Sequence, residues 1–133
     1  MIILTINYSL ILKILNLYHA IQFCFVFLLF NPPKLLESGY RMLLYNGQMD
    51  LVFPYVATEN FVNTLHWVHA KEYYASPRKV WRVDGNVAGY VKCAAGLARV
   101  LVRNAGHLAA MDQPLWVYDM ITRFVNASLC EEV

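Results

Sequence analysis

The chain has 133 residues, room for one domain, with 59% hydrophobic and 15% charged residues and a formal net charge of +2. So weak a charge, without a basic stripe or an acidic tail, gives no footing for nucleic acid. Cys24, Cys93 and Cys130 are an odd set without Cys-x-x-Cys spacing. This argues against a zinc site and a self-contained disulfide framework, and the three read as unpaired thiols, with one pair at most.

The hydrophobic excess is concentrated in residues 1–30, where Lys13 is the single charge, and the run from Ile14 to Phe30 has none. As a helix that run would span about 25 Å, near the lower limit for crossing a bilayer. A cleaved signal peptide fits poorly, because Phe30-Asn31-Pro32-Pro33 offers no small-residue cleavage site. Three readings stand: a signal-anchor helix, a buried helix of the fold, or translated flanking sequence that is not native. Pro32-Pro33 is expected to end any helix, dividing an apolar leader (1–33) from a folded part (34–133).

In the folded part, Arg41 to Tyr45 is a near-continuous apolar run, the pattern of a parallel strand covered on both faces. Asn46-Gly47 is expected to turn, placing Asp50 just past the carboxyl end of that strand, where open α/β sheets put their sites. Pro54 suits the first turn of a helix whose apolar stripe is Ala57, Phe61, Leu65 and Val68. His66 and His69 fall in or after it and read as solvated, with no carboxylate or thiol at ligand spacing. Val80–Val83 and Val87–Lys92 flank Asp84-Gly85-Asn86, a hairpin signal in which Gly85 and Asn86 tolerate positive φ. A second turn at Ala94-Ala95-Gly96 leads to a strand over Arg99–Arg103, and His107 lies just beyond its end. Asp112-Gln113-Pro114 opens the last helix, with Asp112 as its cap and Trp116, Met120, Ile121, Phe124 and Val125 as its stripe. Asn126-Ala127-Ser128 and Asn7-Tyr8-Ser9 are glycosylation acceptor triplets, a pattern also common by chance.

In order, the chain reads strand, turn with Asp50, helix, hairpin, strand, turn with His107, helix. A buried carboxylate can bond one imidazole nitrogen, fix the tautomer and stabilise the imidazolium formed when the other nitrogen takes a proton. Neighbouring parallel strands would bring the two loops together although they are 57 residues apart (107 minus 50).

Leu43-Leu44-Tyr45-Asn46-Gly47-Gln48-Met49-Asp50, Val80-Trp81, Val87 to Lys92, and Val102-Arg103-Asn104-Ala105-Gly106-His107 with Asp112-Gln113-Pro114 resemble the carboxyl-terminal part of the serine carboxypeptidases. Within that family the vitellogenic-like branch is the nearest in pattern. The resemblance covers Leu36 to Val125 and leaves out residues 1–30. It implies the late strands, crossover helix, hairpin and final helix of an α/β-hydrolase fold, preceded here by an apolar N-terminal helix. It also implies Asp50 as the triad acid and His107 as the triad base.

The family's Gly-Glu-Ser-Tyr-Ala-Gly nucleophile motif is not among these residues. Leu36-Glu37-Ser38-Gly39-Tyr40 is similar only on the surface, since Leu36 replaces the needed glycine and the segment precedes the acid's strand. Two departures occur within the match: the family often has a proline near Ala110, and commonly no cysteine at Cys93.

The implied activity is removal of carboxyl-terminal residues through an acyl-enzyme, without a cofactor or metal, on a peptide or protein C-terminus in the secretory pathway, lysosome or extracellular space. One alternative is a catalytically inactive truncated chain or pseudo-enzyme, held on a membrane by residues 14–30. Another is a different α/β-hydrolase, such as an esterase or aminopeptidase. With two buried strands and one hairpin, the sheet edges and helix faces should lack partners, so the piece is expected to be weakly stable or to associate.

Overall fold

The computed structural model describes residues 2–5 and 31–131. In chain order it holds β1 (Ile2–Thr5), α1 (Pro32–Glu37), β2 (Met42–Gly47), α2 (Tyr55–Thr64), α3 (Ala70–Ala75), β3 (Lys79–Val83), β4 (Asn86–Ala94), β5 (Leu97–Val102), α4 (Ala109–Asp112) and α5 (Pro114–Val125). The five strands form one mixed sheet in the order β1-β2-β5-β4-β3. β2 and β5 are parallel, and every other neighbouring pair is antiparallel.

Side chains alternate across a strand, so the all-apolar start of β2 needs cover on both faces. It has that cover. Leu43 and Tyr45 join Trp81, Val91, Val100, Val102 and the inner face of α5, through Val117, Met120 and Phe124. Met42 and Leu44 point the other way, into a cluster with Leu36, Val62, Leu65, Trp67, Tyr73 and Leu97. Leu43 and Leu44 are fully buried, and burial of each contributes about 2 kcal/mol.

Several local expectations shift. Pro32-Pro33 begins a helix: with no N–H to satisfy in a first turn, proline suits the start of α1, and the Asn31 side chain accepts from the Lys34 amide. The buried residues of α2 are Thr58 and Val62; of the expected stripe Phe61 and Leu65 pack on the same cluster, while Ala57 is exposed and Val68, beyond the helix end at Thr64, is 77% exposed. On α5, Val117 replaces the solvent-facing Val125 in the core stripe. α3 was not anticipated; its Tyr73 closes the second cluster.

The β3-β4 turn takes positive φ at Asp84 (48°) and Gly85 (78°), one residue earlier than expected, and the β4-β5 turn repeats this at Ala95 (49°) and Gly96 (82°). Paired left-handed residues match the twist of the flanking strands. Cys93 on β4 bonds Cys130 after α5, across 37 residues. The reading of three unpaired thiols is thus corrected: a pair distant in sequence is brought to a 5.9 Å Cα separation by the packing of α5 on the sheet.

In the leader, Ile2–Thr5 is a strand antiparallel to β2, so the start of the leader is extended and not helical. The apolar run Ile14–Phe30 and the Asn7 triplet lie outside the described residues. Among the described residues no helix is long and apolar enough to cross a membrane.

Candidate functional site

β2 and β5 run in register from Met42 opposite Leu97 to Gly47 opposite Val102, so the loops leaving their carboxyl ends emerge side by side. Asn46-Gly47, expected to turn, completes β2, and the turn falls at Gln48-Met49. The Gln48 and Met49 amides donate to the Val102 and Ala105 carbonyls, each at 2.8 Å, tying one loop to the other. Gly47 is needed at this crossing, since a β-carbon would be driven into the carbonyl oxygens of Ala105 and Gly106.

The Asp50 side chain is 1% exposed. Its Oδ1 accepts from the backbone amides of Val52 (2.9 Å) and Phe53 (2.8 Å), the local turn that short acidic side chains favour. His107 Nδ1 lies 3.2 Å from Oδ1 and 3.1 Å from Oδ2. Burial pushes the Asp50 carboxyl up, but the Phe53 amide, His107 and the Val52 amide more than offset this and hold it below its usual value. An ionised carboxylate only accepts hydrogen bonds, so the proton sits on Nδ1 and leaves Nε2 free to take one.

Three contacts that periodicity does not disclose hold this pair. The buried Asn46 side chain donates from Nδ2 to the Phe53 carbonyl at 3.1 Å, closing the Asp50 turn. The Phe53 ring stacks on His107, with centroids 6.4 Å apart and planes 22° apart. On the histidine side, Gly106 donates its amide to Asp112 Oδ2 at 2.7 Å. Asp112 was expected to cap the last helix; it instead ends α4, and Gln113 stands at the start of α5 with no side-chain cap. Pro114 in the first turn removes one amide that would need an acceptor, which frees the carboxylate for the loop. Gln113 Nε2 donates to the carbonyl of Asn104, whose φ of 54° is one asparagine tolerates.

Among these, a turn closed by Asp50 on its own following amides had a visible cue, an aspartate just after a strand and before Phe53-Pro54. The Asn46 and Asp112 contacts had none.

The remaining candidates lie elsewhere. His66 and His69 are exposed, and His69 Nδ1 sits 2.7 Å from Glu72, a carboxylate three residues on that the spacing argument had passed over. Among the described residues no group of three or more His, Cys, Asp or Glu could hold a metal ion. Ser38 sits before β2, at the end opposite Asp50, with its hydroxyl donating to Lys34. Ser76 and Ser128 likewise donate to backbone carbonyls, of Tyr73 and Arg123. The described serines are therefore engaged away from His107. Around the pair the surface is apolar: Leu51 is 93% exposed, and Met49, Val52, Leu108, Met111 and Leu115 are all more than half exposed.

The serine carboxypeptidase family profile matches residues 27–127. The venom serine carboxypeptidase of Apis mellifera is 48% identical over 91 residues, covering 68% of this chain and 20% of that protein. The vitellogenic carboxypeptidase of Aedes aegypti is 47% identical over 91 residues, covering 68% and 19%. Among solved structures, Kex1(Δ)p, a prohormone-processing carboxypeptidase from Saccharomyces cerevisiae, superposes with a TM-score of 0.63 at 29% identity, covering 71% of this chain and 21% of that one. The chain thus spans about a fifth of the length of the relatives it matches, and its mixed sheet with flanking helices is the carboxyl-terminal portion of their α/β-hydrolase fold. With sequence and fold in agreement, the chain belongs to the serine carboxypeptidase family.

Proposed function

We propose that this chain supplies the acid and base of a serine-type carboxypeptidase, with Asp50 orienting His107 and His107 taking the proton of a serine hydroxyl. The observation that carries this reading is the contact of His107 Nδ1 with Asp50 at 3.1 Å, with the carboxylate buried. The substrate class is a peptide or protein with a free C-terminus, in keeping with the carboxypeptidase names of the relatives. A secretory-pathway location is supported by the Cys93–Cys130 bond, which persists in oxidising compartments.

The 133 residues hold no Gly-Glu-Ser-Tyr-Ala-Gly motif, and the described serines bond elsewhere. The isolated chain therefore does not hydrolyse peptides in this reading: where triad members act as a unit, lacking the nucleophile costs on the order of a million-fold in kcat. The exposed apolar loops around the pair are the surface a serine-bearing portion would cover.

A chimera tests both halves of the proposal. Residues 36–131 replace the matching segment of the Apis mellifera enzyme, and release of the C-terminal residue from a blocked dipeptide is compared with release from its amide. Cleavage of the acid and not the amide is expected. Equal rates would turn the reading toward an esterase or another α/β-hydrolase, and no cleavage by a folded chimera would mean that Asp50 and His107 are not a competent pair.

A further inference from the structure

We infer that Asn126 is a site of N-linked glycosylation, on the end of the domain opposite the Asp50–His107 pair. The triplet Asn126-Ala127-Ser128 has the required hydroxyl residue and no proline between, so it can extend into a transferase. Many such acceptor asparagines are buried once folded; this one is presented, although the Ser128 hydroxyl donates to the Arg123 carbonyl. Asn126 follows α5 and is exposed. Its backbone amide donates to the Thr122 carbonyl, while its side-chain amide has no hydrogen-bond partner among the described residues.

The surrounding chain is held, so the asparagine stays outward. Ala127 turns the backbone away with φ of 63°. Leu129, 1% exposed, anchors the next residues in the core, and Cys130 is bonded to Cys93 on β4. That bond is a second, independent observation pointing to the compartment in which N-glycans are added. α5 has 12 residues, about 18 Å at 1.5 Å per residue. A glycan at its far end stands well clear of the loops that meet at its start.

The modification joins Asn126 Nδ2 to the anomeric carbon of a lipid-linked diphosphate oligosaccharide. The bond from that carbon to the diphosphate oxygen breaks, and the amide proton leaves with the diphosphate. No oxidant or reductant is needed.

The proposal uses neither Asp50 nor His107, so it stands or falls separately from the peptidase reading. The test is translation of the full chain, preceded by a cleavable signal peptide, in the presence of endoplasmic-reticulum microsomes, scored on protease-protected molecules. An endoglycosidase-sensitive step in mobility is expected that persists in Asn7→Gln and Ser128→Thr and disappears in Asn126→Gln and Ser128→Ala. Protected chains lacking an Asn126-dependent step would overturn the assignment.

Discussion

The two ends of the parallel pair β2 and β5 are built on different principles. At the amino end the chain is fastened: Arg41 donates to the Phe124 and Val125 carbonyls at 2.9 and 3.1 Å, its cation meeting the negative end of α5. Met42 bonds Gly96 at 2.8 Å, and the Cys93–Cys130 bond closes the same region covalently. At the carboxyl end, backbone crosses backbone at Gly47, and one buried carboxylate collects two amides and an imidazole. Around it Leu51, Met111 and Leu115 stand in solvent. Fastening contacts are thus concentrated at one end, while the other holds a carboxylate against an imidazole and leaves their apolar surroundings open.

The largest effect that would separate the two ends is catalytic. Asp50→Asn in the chimera should keep the loop but present an amide N–H to Nδ1, forcing the proton onto Nε2. A fall in kcat of about 10⁴-fold is expected, with urea stability little changed; a fall under tenfold would remove Asp50 from the acid's role.

Next is the amino end. Replacing Cys93 and Cys130 together by alanine should cost about 3–4 kcal/mol, the loop-closure entropy of a bond across 37 residues. The fall should appear as a lower urea midpoint, with kcat of the chimera retained where the protein stays folded.

Gly47→Ala follows at about 2–3 kcal/mol, since the neighbours it strikes are backbone. It should lower both the urea midpoint and kcat, unlike the cysteine pair. Asn46→Ala should cost about 1 kcal/mol by releasing the Phe53 carbonyl. Its readout is the urea midpoint, which should fall by less than it does for Gly47→Ala.

Smallest is the acid dependence. The Asp50 carboxyl has its pKa lowered in the folded state, so its contribution is complete above the unfolded value of about 3.9 and is lost as pH falls through the lower folded value. The urea midpoint should fall less between about pH 6 and pH 3 for Asp50→Asn than for the unaltered chain.

How much of this was legible varies by residue. The run through Leu43, Leu44 and Tyr45 announced a strand buried on both faces, because only a parallel strand between helical layers tolerates unbroken apolarity. Asp84-Gly85 announced a hairpin, since few residue types accept its dihedrals. Asp50 and His107 were legible as residues just past strand ends, and the fold confirms their adjacency through the β2-β5 register. Less was readable where one residue type can serve several partners. Asp112 could accept from any nearby amide, and it took Gly106 in place of its helix. Arg99, read only as a strand end, reaches across to Glu59 at 3.1 Å and to the Tyr55 carbonyl, pinning α2 to the sheet.

The strands β2 and β5, the hairpin between them and the positions of Asp50 and His107 just past strand ends follow from patterns along the chain, since periodicity and turn chemistry act over a few residues. The Cys93–Cys130 bond, the Asn46 clamp, the packing of Phe53 on His107 and the outward stance of Asn126 do not. Each depends on which distant segments the sheet and α5 bring within a few ångströms, a distance that separation along the chain leaves unspecified until the core has packed.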